Sequence, residues 1–187
     1  MTAGGADASP DYSEREPSTG RDVLRHYLRD LVYGANDGII TTFAVVAGVA
    51  GAALSVRTVL IMGMANLLAD GFSLGASNFL GIRSEEAVRR SRGAPVAERY
   101  PLRHGIVTWV AFSIAGTVPL LPYVLLGPER RFAVAVAATL TALFVVGALR
   151  SAVTLLRWWK AGLEMLLVGA TAAAVAYAAG YLLADVA

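Results

Sequence analysis

The sequence predicts an all-α membrane protein with five transmembrane helices, and three observations carry that expectation. The 187-residue chain is 56% hydrophobic and only 16% charged, with a positive mean hydropathy. A soluble domain carries about 25% charged residues, and the deficit is what lipid-facing positions impose because they cannot hold charge. Five apolar runs each approach the roughly 17–25 residues that cross a bilayer. None alternates with period two, which leaves helices rather than a barrel to satisfy the backbone in lipid. Finally, Lys and Arg are divided very unevenly among the segments that join the runs.

Residues 1–24 are rich in Gly, Ser, Pro and charge, and read as a disordered cytosolic tail. They lack the apolar core and small-residue cleavage site of a secretory signal. Residues 25–187 form the transmembrane domain. Its spans are expected at about 31–54, charged only at Asp37; 58–82, charged only at Asp70; 104–127, with Pro119 and Pro122; 132–149; and 161–184, charged only at Glu164. The segments before span one, between two and three, and between four and five hold 13 Lys and Arg against 3 in the others. The positive-inside rule then places the N-terminus in the cytosol and the C-terminus outside. The connector from Arg83 to Arg103, with six arginines, reads as a solvated loop facing anionic lipid.

Small residues mark close helix approach in lipid, where no water drives apolar faces together. Gly34, Gly38, Gly48 and Gly51 on span one and Gly71 and Gly75 on span two favour a tight pairing of these two helices, and a homodimer with helix one at its interface.

The absence of cysteine excludes disulfides, thiolate zinc sites and redox chemistry. The chain has two histidines, His26 and His104, which argues against an imidazole cluster within one chain. His104 opens span three at the membrane interface and reads as no ligand. What remains is oxygen. Asp30, Asp37 and Thr41 fall on one face of helix one, and Asn66, Asp70, Ser73 and Ser77 on one face of helix two. Such stripes suit a path for a hard or borderline divalent cation. Asp37 and Asp70 lie roughly 9 and 15 Å from the cytosolic ends of their spans, so they can approach one another. An intramembrane acid marks a functional site by default, since it costs about 2.5–3.5 kcal/mol at the bilayer centre. Blander readings stay open. Asn36-Asp37-Gly38 is also a turn signal, with Asp37 capping a helix that starts at Gly38; Asp70 is alternatively a protonated acid bonded to a neighbouring helix. Met62 and Met64 read as packing, and Glu164 as an i,i+4 partner of Lys160.

LRDLVYGANDGIITTFAVVAGVAG and ANLLADGFSLGASNFLGIRSE resemble the first two helices of the vacuolar iron transporter family. PLLPYVLLG and KAGLEMLLVGATAAAVAYAAGYLL resemble its later ones, so the likeness covers about residues 25–184. The resemblance implies a five-helix dimer that exchanges cytosolic ferrous or manganous ion for protons along helices one and two. By position, Asp30 and Asp37 match the family's acidic pair, and Asn66 and Ser73 its path-lining positions. There are three departures. About twenty arginine-rich residues replace a long glutamate-rich cytosolic domain, Leu74 stands where a methionine is common, and Asn66 where a glutamate is. An oxygen-only site with Asp70 compensating for the missing acid suits manganese. The expected metal residues are therefore Asp30, Asp37, Asn66, Asp70 and Ser73.

The function expected is proton-coupled export or sequestration of a divalent metal, with lipid, the metal ion and a second copy as partners and no nucleic acid. No resident cofactor is expected. A non-transporting membrane subunit or sensor with structural buried acids is the alternative. An enzyme is disfavoured, since nothing resembles a nucleophile–base pair or a phosphate loop. The short chain points to a bacterial plasma membrane.

Overall fold

A computed structural model describes residues 20–152 and 156–184, with side chains from Asp22 onward. Residues 1–19 of the expected tail lie outside the described residues; residues 20–24 are the first of a helix. The elements are α1 (Gly20–Gly51), α2 (Val56–Ser91), α3 (Pro101–Gly116), α4 (Leu121–Leu125), α5 (Arg131–Arg150) and α6 (Trp158–Leu183). Among the described residues there is no strand. Asp22–Gly51, Val56–Ser91, Arg131–Arg150 and Trp158–Leu183 are long and apolar enough to cross a membrane. The chain is thus an integral, multi-pass membrane protein.

The third apolar run departs from the expected single span. Pro119 and Pro122 lack the N–H that would continue the helical ladder. The chain therefore turns between α3 and α4 through three-residue bonds, Val118 N–H to Ala115 O at 3.1 Å and Leu120 N–H to Thr117 O at 3.0 Å.

Helix α1 is the hub of the bundle, packing on α2, α3, α5 and α6. It ends where Ala53 takes a left-handed conformation, φ 54°, and Leu54 N–H returns to Val49 O at 3.1 Å. Ser55 then caps α2 by accepting from Thr58 N–H at 3.2 Å. The tight turn makes the first two helices antiparallel neighbours. The core joins Phe43, Val46 and Val49 of α1 to Val59 and Leu67 of α2, Phe112 of α3, and Leu120 and Tyr123 around α4. A smaller cluster holds Ile39 against Leu143 and Met165.

The glycines serve these contacts within one chain. A Cβ on Gly34 or Gly38 would strike backbone carbonyls of α3, at Thr108 and Phe112. One on Gly75 would lie 2.6 Å from Gly105 O, also on α3. Gly48 and Gly51 face Ala176 and Tyr177 of α6. Within the chain, then, these glycines serve contacts with α3 and α6 rather than the expected tight pairing of helix one with helix two. Helix α3 is the partner of Gly34, Gly38 and Gly75 because it fills the groove between α1 and α2.

Two further expectations change. Glu164 pairs with Arg150 of α5 at 3.6 Å rather than with Lys160, because α5 and α6 pack side by side. The connector after span two is ordered rather than simply solvated. Helix α2, about 54 Å long at 1.5 Å per residue, has 36 residues and outruns the ~30 Å hydrocarbon core. Its overhang carries Glu86, 8% exposed, which accepts the N–H groups of Ala97 at 3.0 Å and Glu98 at 2.9 Å. Arg89 Nε donates to Pro95 O at 3.2 Å, and Gly93, at φ 69°, makes the reversal. These contacts fold the loop back against the start of α1.

Candidate functional site

A cavity of about 830 Å³ opens where α1, the α2 overhang, the folded loop and the start of α3 meet. His26, Asp30, Asn36, Asn78, Glu98 and His104 contribute to its wall. Asp30 is at its centre, only 6% exposed. Asn78 Nδ2 donates to Asp30 Oδ1 at 2.9 Å and to Thr108 Oγ1 at 2.7 Å. The other carboxylate oxygen, Oδ2, lies 2.5 Å from His104 Nδ1. Both oxygens of Asp30 are thus engaged by protein groups, and the residue expected as a ligand holds a neighbouring side chain in place.

That neighbour brings together the two histidines, which the sequence reading expected to stand apart. His104 is 8% exposed, and His26 approaches it with ring centroids 5.0 Å apart; Tyr27 packs 4.8 Å from each. Glu98 Oε2 lies 3.0 Å from His104 Nε2 and 3.1 Å from His26 Nε2. The His104 approach is off the ring N–H direction, so Nε2 is buried without a hydrogen bond. One ligand atom from each of His26, Glu98 and His104 lies within 4.8 Å of the other two. Burial alone raises the affinity of the Glu98 carboxyl for a proton. The Tyr100 N–H that it accepts at 2.7 Å and the two imidazoles beside it outweigh this and hold its pKa below the ordinary 4.5.

Asn36 is a further residue of this cavity, its buried Oδ1 without a hydrogen-bond partner. It adjoins Asp37, deeper along α1. The Asp37 and Asp70 carboxylates lie close enough for their charges to repel. Beside them Asn66 Nδ2 donates across the helix pair to Thr41 Oγ1 at 3.3 Å and Thr42 Oγ1 at 3.2 Å. Thr41 in turn donates to the backbone oxygen of Asp37 at 2.9 Å. Asp37 therefore sits within continuous helix α1 rather than at its cap. Asp70 and Ser73 are exposed on the side of α2 away from α3.

Of the five expected site residues, Asn66 bridges α1 and α2, Asp37 feels the charge of the exposed Asp70, and Ser73 follows Asp70 along α2. Asp30 belongs to the separate imidazole cluster, roughly 10 Å along α1 from Asp37 at 1.5 Å per residue. Sequence reasoning missed His26, Asn36, Asn78, Glu98 and His104. The one available signal was His26 and Asp30 at i, i+4 on a helix; nothing in the spacing places Glu98 and His104 beside them.

The fold and site define a polytopic helical membrane protein with a pair of neighbouring carboxylates on its first two helices. The chain belongs to the VIT family, whose model matches residues 28–99 and 86–181. It is 28% identical to vacuolar iron transporter 1 of Eucalyptus grandis, over 80% of this chain and 84% of the relative. It is 30% identical to vacuolar iron transporter homolog 4 of Arabidopsis thaliana, over 72% and 73%. A vacuolar iron transporter of Toxoplasma gondii is 41% identical over 76 residues, 41% of this chain and 24% of that protein. These relatives are named as transporters, not enzymes. The Eucalyptus alignment runs over 208 residues, more than this whole chain holds, so the relative carries residues with no counterpart here.

Proposed function

We propose that this chain moves a divalent metal ion, ferrous or manganous, out of the cytosol in exchange for protons, as a homodimer whose path follows α1 and α2. The observation that carries this is the meeting of Asp37 and Asp70 within mutual repulsion in a membrane-spanning pair of helices, flanked by Thr41 and Asn66. Membership of a family whose relatives are named iron transporters supports it. The 13-to-3 division of Lys and Arg supports an N-in, C-out orientation, with α3 and α4 making a broken fifth crossing. The cavity and the arginine-rich loop then face the cytosol.

Two ionised carboxylates close together in a low dielectric repel, and either a divalent cation or protons can relieve that repulsion, so their exchange links metal entry to proton movement. The amide oxygen of Asn66 and the hydroxyls of Thr41 and Ser73 supply neutral oxygens along the way, and with no thiolate in the chain the set suits Mn2+ or Fe2+. Reconstituted vesicles test this. Asp37→Asn keeps the shape and removes a charge, and metal uptake with its coupled proton flux should fall at least tenfold while the protein stays folded. Asp70→Asn should do the same. Wild-type uptake by Asp37→Asn protein would sink the mechanism and leave the acids structural, as in a non-transporting subunit.

A further inference from the structure

The cluster at the loop end is built differently from the carboxylate pair, and it involves both histidines of the chain. We propose that His26, Glu98 and His104 bind a first-row divalent cation of the Fe2+, Co2+ or Zn2+ kind on the wall of the 830 Å³ cavity, with Asp30 and Glu86 as positioning residues. Two imidazoles and one carboxylate select such ions over Mg2+ and Ca2+, which take oxygen donors.

Four features build the site. Asp30 Oδ2 engages His104 Nδ1, which places the Nδ1 proton toward Asp30 and leaves the Nε2 lone pair open to a cation, with Glu98 Oε2 3.0 Å away. This is the carboxylate–histidine–metal relay that orients an imidazole and raises its basicity. Asn78 fixes Asp30 from the other side. Glu86 holds the backbone of Ala97 and Glu98, so Glu98 is presented by a loop tied at its own N–H. Finally, His104 Nε2 is a buried atom without a hydrogen-bond partner at the cluster, and a cation would satisfy it.

The spacing is close to what a metal needs. Donors about 2.0–2.2 Å from a cation lie about 3–3.5 Å from one another. Glu98 already has 3.0 and 3.1 Å to the two imidazole nitrogens. The wider separation within the 4.8 Å group would be closed by a small shift of His26, whose side chain is 37% exposed. Arg29, Arg89 and Arg150 also line the cavity and oppose a cation there; Asp30, Glu85 and Glu86 on the same wall offset them, and Glu164 pairs with Arg150.

Resting on the transport reading, the cluster loads the path. It stands on the cavity that reaches Asn36, next to Asp37, and lies at the end assigned to the cytosol.

The full-length chain in detergent, with Co2+ as the probe, tests the site. The wild type and Asp37→Asn should both bind Co2+ with the visible bands of imidazole coordination. His26→Ala, at an exposed position, and Glu98→Gln should each weaken that binding at least tenfold and remove the bands, with thermal unfolding unchanged for His26→Ala. Excess Mg2+ should not compete. Unaltered Co2+ binding in both His26→Ala and Glu98→Gln would overturn the site. In vesicles, His26→Ala should raise the half-saturating metal concentration severalfold and leave the limiting rate alone. Lost Co2+ binding with unchanged half-saturation would remove the loading role. Lost Co2+ binding in His26→Ala alongside normal uptake by Asp37→Asn would keep the site and sink the transport reading.

Discussion

Glu98 accepts from Tyr100 N–H through one oxygen and faces two imidazoles through the other, while its own N–H is held by Glu86. Its folded pKa lies below the ordinary 4.5, so the docking it supports is complete above that value and is lost as the pH falls through the lower, folded one. Hydrogen exchange of the amides of residues 94–100, corrected for intrinsic rates, should be flat from neutral pH to about 5 and accelerate below about 4.5. Glu98→Gln should exchange fast throughout and show no such step; a step retained in that variant would assign the pH effect elsewhere. Asp30 illustrates what sequence could convey at this scale. Its place on one face with Asp37 was legible from helical period, but its partners were not. Asn78 and His104 reach it from helices that arrive 48 and 74 residues later, and no local pattern encodes that meeting.

Among the elements, α1 and α3 approach so closely at Gly38 that a Cβ there would lie 2.9 Å from the backbone carbon of Phe112. Backbone cannot rotate aside as a side chain can, so Gly38→Ala must spread the two helices. We expect a loss of about 1–3 kcal/mol. Gly81, on the α2 overhang, has nothing within 4 Å of its added Cβ. There Ala gains helix propensity, up to about 1 kcal/mol. Thermal unfolding in detergent should therefore separate the two substitutions in sign, and equal melting temperatures would refute the close packing of α1 on α3. The runs at 132–149 and 161–184 foretold α5 and α6 within a few residues, because an unbroken apolar stretch has no other way to satisfy its backbone in lipid. The third run misled, since hydropathy measures apolar length and is blind to the two missing proline N–H groups. The α2 overhang escaped too. Its charged residues look like loop to a hydropathy reading, whereas the helix is continued to Ser91 and tied down by Glu86.

In the whole molecule, α1 is enclosed by four neighbours while α2 presents one side to its surroundings. The exposed surface of α2 is broad: Ile61, Met64, Leu68 and Phe72, more than 45% exposed each, run along one margin, where Phe72 meets Trp109 of α3, and the exposed Asp70, Ser73 and Ser77 lie on another face. Apolar side chains there are at home in lipid, but a carboxylate is not, at about 2.5–3.5 kcal/mol near the bilayer centre. A second copy applied to α2 would remove Asp70 from lipid and bring a second set of oxygens to the carboxylate pair. We therefore expect a homodimer with α2 at its interface, and helix one behind it rather than in contact with its counterpart. The chain has no native cysteine, so single substitutions report cleanly. Ser73→Cys and Ser77→Cys, on the Asp70 face, should form symmetric disulfide-linked dimers in native membranes under mild oxidation. Val175→Cys and Leu182→Cys on the exposed side of α6 should not. Asp70→Asn lowers the cost of facing lipid and should weaken the Ser73→Cys link if the carboxylate helps drive association. Cross-links confined to α6 would place the interface on the opposite side of the bundle and leave Asp70 without a second copy to cover it.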